Sequence, residues 1–510
     1  MSSNRARLIC PALFWTVLGL TTLWRVLLAA GLDPCDDEAY YFCWSLQPQL
    51  SYMDHPPLVA WAMTIASAVF GDSIWTVRFW PLLLGTSVPI LGRSLGRRLF
   101  GQAVADTAGL FLILAPGFAG NGLLMTPDAL FVVAWAVAVF CTWQGLDAPA
   151  LRPGWWLLAG VSAGMGSLSK YNMILYFAGL GLLWLLTPGR RFEIARGTVM
   201  AGFVALLFFS VVVLWNAHHD WVSFRKQLGH GFDRETLGLL RGGSEFVGGL
   251  LLVATPGLAC LTVHAAAGAL AAPSLAARFA AAFFWPTIVL FGASALRGNP
   301  VGPNWSMAAF FTGFLLVAAR WDRWPVSIRR TTFVLLLLPL TLALAALTYI
   351  ELPGPGLRVA GQPIHFARIR QFVGGQEMAD VVRRRLAESK ADFVWVSRCQ
   401  IYSKLAFFAP DLRDRLCLLP GKIYPRFPWR DDRRWRGRDA LVVRESSKEA
   451  GAERLYFDGM DDLGRETIEV KGALVRVLSF NRGTAYRPPE QRGKFPSKKQ
   501  SRYHPEPRSP

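Results

Sequence analysis

The chain has 510 residues, of which 53% are hydrophobic, and its mean hydropathy of +0.31 is too high for an ordinary soluble enzyme. With 17% charged residues it is also too polar to consist of membrane-spanning helices alone. The net charge of +19 does not indicate nucleic-acid binding, because the arginines lie mainly in loops between apolar segments, where the positive-inside rule and anionic lipids account for them. The composition predicts a membrane domain joined to a soluble part, with membrane lipid as a partner and no nucleic acid.

A membrane-spanning helix needs roughly 20 apolar residues, and the apolar segments predict about eleven such spans. The first follows Arg5 and Arg7 and has no small-residue cleavage site after it, so we interpret it as a retained span with a cytoplasmic N-terminus. Segment 56–70 is short and opens with two prolines, and counting it as a span would place most arginine clusters outside, so we interpret it as an interfacial helix. The predicted spans are about residues 8–30, 75–95, 103–118, 129–144, 155–169, 172–186, 197–215, 246–266, 278–296, 305–319 and 331–349.

A soluble domain is predicted after the last span. The segments DFVWVS (392–397), DALVVRE (439–445) and ALVRVLSF (473–480) have the pattern of short buried strands, and EMADVVRRRLAES (377–389) has that of an amphipathic helix. A disulfide between Cys399 and Cys417 stays open, and no spacing of cysteine and histidine indicates structural zinc. The predicted domains are a membrane domain (1–350), a small α/β domain on the periplasmic side (351–481) and a disordered basic tail (482–510).

The polar motifs fall in the loops that this topology places on the side away from the cytoplasm. Ionisable residues beside apolar spans are costly in a membrane, so these loops hold the functional candidates. The inward loops carry arginines and neither GxGxxG nor DxD, one of which we would expect there in a nucleotide-sugar enzyme. In chain order the outward motifs are CDDEAYYFCWS (35–45), SYMDHPPLVAW (51–61), MTPDAL (125–130), SKYN (169–172), WNAHHDWVSFRKQLGHG (215–231) and GNPVGPNW (298–305).

Together these motifs resemble the GT-C fold glycosyltransferases that depend on polyprenyl-phosphate sugars, in the bacterial branch related to protein O-mannosyltransferases and lipid A aminoarabinose transferases. The resemblance covers about residues 8–350, and its most specific part is the occurrence of DEAYY and DHPPL on one loop. It implies an inverting glycosyltransferase that moves a sugar from a polyprenyl-phosphate donor to an acceptor at the periplasmic face of the bacterial inner membrane. Lipid A or core sugar, a surface glycan, another lipid and a protein all stay open as acceptors.

The resemblance also implies catalytic roles for the acidic motif. Asp37 is the expected general base, which takes the proton of the acceptor hydroxyl as that oxygen attacks the anomeric carbon. Glu38 is expected to orient Asp37 or a bound water, and Asp36 is an additional acid before the pair. The alternative is that these acids only cap an interfacial helix, since carboxylates favour helix N-termini.

Asp54, His55, Asp128 and Lys170 are the expected donor-binding residues. Asp54 and His55 are fixed by two following prolines, and Lys170 lies against the positive-inside trend, which suits a ligand of the leaving phosphate. The alternatives are a structural corner at Asp54 and His55, a helix cap at Thr126 or Asp128, and snorkelling of Lys170 to the interface. A divalent metal held by Asp37, Asp54, His55 and Asp128 also stays open, and no other cofactor is predicted.

Further substrate-binding candidates lie in the last three outward loops. Arg225 and its neighbour Lys226 are exceptions to the positive-inside rule, whereas a solvated surface loop is the alternative explanation. Trp305 suits stacking on a sugar but also a place in the aromatic belt at the membrane interface. The candidates are Tyr171, His219, Arg225, Gln227, His230, Asn304 and Trp305.

Two other classes of protein compete with a transferase. A transporter or flippase of lipid-linked sugars tends to have internal repeats and broken helices near the middle of the membrane, and the sequence contains no repeat. A receptor or scaffold does not need acids and cations clustered at the ends of spans. The one-sided distribution of the motifs therefore favours the transferase.

Overall fold

The computed structural model describes residues 11–147, 152–232, 238–351, 358–359, 362–363, 369–419, 427, 431–445, 452–470 and 473–488. The chain forms two compact units. The first contains Met1–Gly31 and Pro48–Glu351, and the second contains Leu32–Gln47 and Leu352–Pro510. The acidic motif after the first helix therefore belongs to the same unit as the C-terminal domain, whereas the sequence alone assigned it to the membrane domain.

The first unit is helical. Helices are numbered along the whole chain, and α2 (Asp36–Ser45) is described with the second unit. Many of these helices begin with proline at the first or second position, where its missing N–H costs no intrahelical hydrogen bond. The helices are α1 (Pro11–Gly31), α3 (Leu58–Phe70), α4 (Ile74–Phe100), α5 (Gln102–Leu114), α6 (Pro116–Asn121), α7 (Pro127–Leu146), α8 (Pro153–Ser169), α9 (Ile174–Leu186), α10 (Arg191–His218), α11 (Val222–Phe232), α12 (Leu239–Ala254), α13 (Pro256–Leu270), α14 (Leu275–Ala282), α15 (Trp285–Leu296), α16 (Met307–Ala319) and α17 (Val326–Glu351).

Five helical segments in the described part of the chain are long and apolar enough to cross a membrane, and a bent pair of helices raises this number to six. Further apolar helices are shorter, so the total of about eleven spans stays a prediction. The short helix expected over 56–70 is confirmed as α3, whose 13 residues extend about 20 Å and fall short of the hydrocarbon core. The five segments are Pro11–Gly31, Ile74–Phe100, Pro127–Leu146, Pro188–His218 and Leu275–Leu296.

The prediction of one continuous helix over 246–266 is wrong. The stretch is apolar, but α12 and α13 meet at Thr255 with a bend of 101°. Pro256 has no N–H to donate into a continuing helix, and the helical region is disfavoured for the residue before a proline. Thr255 lies outside that region with φ 66° and ψ 152°, a backbone conformation that is unusual for a residue with a Cβ atom, and α13 begins at Pro256.

Glycines allow α8 and α10 to approach closely, as small residues do in membrane helix pairs. A Cβ atom at Gly160 would lie 2.7 Å from the carbonyl oxygen of Ala201, and one at Gly197 would lie 2.1 Å from the indole of Trp156. The Trp156 side chain is fully buried and has no room to move aside. Packing at this interface therefore depends on the absence of a side chain at Gly197.

We expect Gly197→Ala to destabilise the protein by about 1–3 kcal/mol, because the added methyl group overlaps the Trp156 ring. Gly202→Ala in the same helix is the control, since its Cβ would lie 3.8 Å from Phe177, at ordinary contact distance. Thermal unfolding of the two variants in detergent measures the difference. Equal melting temperatures would contradict the close packing of α8 against α10.

The second unit contains a five-stranded sheet in the order β4-β3-β5-β7-β6. β3 pairs in parallel with β4 and β5, whereas β7 pairs antiparallel with β5 and β6. The helices of this unit are α2, α18 (Gly375–Ser389) and α19 (Cys399–Phe408). The strands are β1 (Arg358–Val359), β2 (Gln362–Pro363), β3 (Phe393–Val396), β4 (Leu416–Leu418), β5 (Ala440–Arg444), β6 (Gly459–Val470) and β7 (Ala473–Thr484).

The predicted α/β character of the C-terminal region is confirmed by β3, β5, β7 and α18. The sequence did not indicate β4 or β6, because one is very short and the other is polar along most of its length. Residues 482–484 of the predicted tail form the end of β7, while 489–510 lie outside the described residues. Cys399 and Cys417 are both thiols rather than halves of a disulfide.

Candidate functional site

A buried polar cluster lies where α7 begins and α8 ends. The Nζ atom of Lys170 is 2.7 Å from Oδ1 of Asp128, and the two side chains are only 6% and 7% exposed. The amide of Asn304 donates to the other carboxylate oxygen of Asp128 at 2.6 Å. The carboxylate of Asp128 thus receives a donor on each oxygen, while Thr126 makes no side-chain cap bond to α7. Thr126 therefore does not cap α7 through its side chain, and the site role of Asp128 stays a prediction.

A second ion pair joins the loop before α3 to α11. The carboxylate of Asp54 pairs with the ammonium of Lys226, and the side-chain amide of Gln227 donates to the backbone carbonyl of Asp54 at 3.2 Å. The Ser223 hydroxyl donates to the carbonyl of Tyr52 at 2.8 Å, so two successive turns of α11 hold this loop. Two predicted substrate-binding residues, Asp54 and Gln227, are therefore brought together.

His55 links the two ion pairs electrostatically. Burial lowers the pKa of His55 to about 4, the charges of Lys170 and Lys226 act in the same direction, and those of Asp54 and Asp128 oppose them. The imidazole is therefore neutral at neutral pH and offers one N–H donor and one acceptor nitrogen. Since all four charges reach the ring, His55 lies close to both pairs.

Of the other predicted residues of the first unit, Tyr171 lies near Asp54, whereas four residues have no described contact with the two ion pairs. The hydroxyl of Tyr171 lies among Ser51, Asn216 and Ser223, close to the loop that carries Asp54. His219 stacks on Trp215 with ring centroids 3.9 Å apart, and Trp305 packs against Phe291 at 5.4 Å. Arg225 is exposed, and the side chain of His230 lies outside the described residues. Substrate contact by these last four residues stays a prediction.

An apolar cavity of about 310 Å³ is lined by residues on both sides of Lys170 in the chain, Ser167 and Tyr171. Helices α8, α9 and α10 and the short turn at Tyr171 form its walls. Its volume suits a segment of an apolar chain rather than a whole lipid. The lining residues are Ser167, Tyr171, Ile174, Phe177, Gly202, Ala205, Leu206 and Phe209.

The acidic motif forms the first turn of α2 in the second unit. Asp37 is exposed, whereas Glu38 is buried and its Oε2 accepts the backbone N–H of Cys35 at 2.9 Å in a capping box. The capping alternative therefore applies to Glu38, and its predicted role in orienting Asp37 stays a prediction. Exposure leaves Asp37 accessible to a substrate.

The metal option receives no support from the described residues, which contain no group of three or more His, Cys, Asp and Glu side chains placed to hold an ion. Tyr52 and Ser223 lie within the outward motifs and join the site, although the sequence analysis did not select them as candidates. They lie 171 residues apart, so no local pattern relates them. Lys404, discussed below, did have a sequence signal, since it is the only charged residue within the apolar helix CQIYSKLAFF.

Comparison with known proteins finds similarity to membrane glycosyltransferases. The sequence model for the family described as dolichyl-phosphate-mannose-protein mannosyltransferase matches residues 54–215, a range that includes Asp54, His55, Asp128 and Lys170. The crystal structure of ArnT from Cupriavidus metallidurans bound to undecaprenyl phosphate has a TM-score of 0.62 to this chain at 14% identity, covering 92% of this chain and 97% of ArnT. The likeness to ArnT concerns the fold.

Two curated relatives match shorter regions. A lipid A galacturonosyltransferase, RgtD, of Rhizobium johnstonii is 27% identical over 237 residues, which are 45% of this chain and 48% of RgtD. An undecaprenyl phosphate-alpha-4-amino-4-deoxy-L-arabinose arabinosyl transferase of Pseudomonas fluorescens is 30% identical over 163 residues, which are 31% of this chain and 28% of that protein. The chain thus matches about half the length of the first relative and less of the second. Together with the fold, these matches confirm the resemblance to GT-C fold glycosyltransferases.

Proposed function

We propose that the protein is an inverting glycosyltransferase that moves a sugar from a polyprenyl-phosphate donor to lipid A at the periplasmic face of the bacterial inner membrane. The observation that carries this proposal is the buried Lys170–Asp128 pair, which lies at the ends of two apolar helices beside an apolar cavity. A lipid with an anionic head binds where a cation is available for its head and an apolar cavity for its chain. The name of RgtD, a lipid A galacturonosyltransferase, supports lipid A as the acceptor, and the name of the arabinosyl transferase supports an undecaprenyl-phosphate donor.

On the donor side, the buried cation stabilises the leaving group. As the bond between the anomeric carbon and the phosphate oxygen breaks, negative charge develops on polyprenyl phosphate, and a preorganised ammonium stabilises this charge strongly in a site that excludes water. Lys170 supplies this ammonium, and Asp128 and Asn304 keep it in place. The neutral imidazole of His55 provides a hydrogen bond to the sugar or phosphate without adding charge.

On the acceptor side, Asp37 is the general base. The acceptor hydroxyl oxygen forms the new bond to the anomeric carbon, its proton passes to the carboxylate of Asp37, and the electron pair of the broken bond leaves with polyprenyl phosphate. If the acceptor is instead a phosphate group of lipid A, its oxygen is already ionised. In that case no proton has to be removed from the acceptor, and Asp37 needs a role other than general base.

The test uses purified protein in lipid nanodiscs with undecaprenyl-phosphate sugars and lipid A. We expect one molecule of undecaprenyl phosphate to be released for each molecule of lipid A that gains one sugar. Mass spectrometry measures both products. Omission of lipid A is the control and should suppress the release. A donor that remains intact with lipid A, or that only changes leaflet in sealed vesicles, would contradict transfer and favour the flippase alternative, for which the broken helix pair α12–α13 is a suggestive feature.

A further inference from the structure

The C-terminal unit holds the N-terminus of α2 through several contacts. The backbone N–H of Asp33 donates to the carbonyl of Phe372 at 2.9 Å, and the carboxylate of Asp33 accepts the N–H of Gly375 at 2.8 Å. The N–H of Asp36 is 3.4 Å from the side-chain oxygen of Gln371. The segment that leads into the acidic motif is thus fastened to residues more than 300 positions later in the chain.

Helix α19 covers one side of α2. The rings of Phe42 and Phe407 meet edge to face with centroids 4.9 Å apart. The thiol of Cys43 is 4.0 Å from the carbonyl of Ser403, one residue before Lys404. Lys404 therefore lies on the face of α19 that packs against α2.

Lys404 is a charged residue buried at this interface, which also contains Arg413, whose guanidinium lies over the ring of Phe42. The Lys404 side chain is fully buried, its ammonium donates to the carbonyl of Gln371, and its Nζ lies 4.0 Å from Oδ1 of Asp36. A buried ammonium is costly unless it is paired and hydrogen-bonded. Retaining it in an otherwise apolar helix therefore suggests a purpose beyond packing, which a methionine would serve at lower cost.

We propose that Lys404 is a positioning residue whose ammonium, hydrogen-bonded to the Gln371 carbonyl and 4.0 Å from the Asp36 carboxylate, fixes the first turn of α2 and thereby the carboxylate of Asp37. This inference rests on the proposed function, in which Asp37 is the general base. It assigns the C-terminal unit a part in catalysis, since that unit sets the position of the acid that activates the acceptor. An error of about 1 Å in such a position is enough to lower turnover about 100-fold.

The charges around Lys404 make its positioning of Asp37 sensitive to pH. Burial lowers the pKa of Lys404 to about 8, Arg476 on β7 acts in the same direction, and Asp36, Asp33 and Cys35 oppose them. Because this pKa is depressed, the ammonium is present below about pH 8 and is lost as the pH rises through that value. Positioning of Asp37 should then weaken on the alkaline side.

The experiment compares Lys404→Met, Lys404→Arg and Arg398→Met in the full-length protein. We expect Lys404→Met to lower kcat about 10- to 100-fold while KM for undecaprenyl-phosphate sugar changes by less than about 3-fold, because donor binding does not involve this residue. Arg398→Met removes an exposed cation paired with Glu445 at the start of the same helix and should leave kcat within about 2-fold.

The pH profile separates positioning from a merely structural role. Wild-type kcat should fall above about pH 8, the Lys404→Arg variant should keep its kcat to higher pH, and Lys404→Met should show no such step. If Lys404→Met does not accumulate, Lys404→Arg alone carries the test. Unchanged kcat and pH profiles in the Lys404 variants, with Asp37→Asn inactive, would overturn the positioning role and leave the proposed function standing. An active Asp37→Asn variant would instead remove the general-base assignment, on which the positioning role of Lys404 and the proposed acceptor chemistry both depend.

Discussion

Replacing Asp37 with asparagine is expected to lower kcat by about 10²–10⁴-fold, the usual contribution of a general base. Asparagine has almost the same shape as aspartate but does not accept the proton of the acceptor hydroxyl. Because Asp37 is exposed in the first turn of α2, the free energy of unfolding should change by less than about 0.5 kcal/mol. Transfer of radiolabelled sugar to lipid A measures the first effect, and thermal unfolding measures the second.

Glu377→Gln is the matched control for Asp37→Asn. Glu377 is also an exposed acid in the first turn of a helix of the second unit, and it lies in α18 rather than α2. Its loss should leave turnover unchanged. Full activity of Asp37→Asn with a hydroxyl acceptor would show that another group takes the proton.

The second large effect is expected at the buried pair of Lys170 and Asp128. Lys170→Met leaves the carboxylate of Asp128 without its cation in a buried site and should lower the free energy of unfolding by about 3–5 kcal/mol. The double variant Lys170→Met/Asp128→Asn removes both charges and should recover much of that stability. Turnover should stay at least about 100-fold below wild type in both variants, because neither retains the cation for the leaving phosphate.

Comparing stability with activity separates the two roles of Lys170. The exposed pair of Arg241 and Glu245, with side chains 69% and 42% exposed, is the control, and Arg241→Met should change stability by less than about 1 kcal/mol. Chemical unfolding in detergent and the nanodisc transfer assay provide the two measurements. Wild-type turnover in the double variant would show that Lys170 serves only to neutralise Asp128.

The single-helix prediction over 246–266 shows where hydropathy stops being informative. An average over a window detects an apolar segment but not its direction, so α12 and α13 had the same pattern as one span. The Thr255-Pro256 pair is the local signal of the break, since proline disfavours the helical region for the preceding residue, but Pro81 and Pro89 lie inside α4, so a proline alone does not locate a break. Short strands such as β4 were missed for a related reason, because three apolar residues carry too little pattern.

The sequence by itself determined the long helices, three strands of the sheet and the residue types of the site. Apolar spans form from local hydropathy, and motifs such as DHPP and TPD identify Asp54, His55 and Asp128 without any knowledge of packing. Only the tertiary structure decided which charges meet. Asn304 binds Asp128 across 176 positions, and Asp36 approaches Lys404 through a domain whose motifs indicated no role. Such pairs depend on which helix ends come together, and a period of hydrophobic residues along one helix contains no information about the partner that will face it.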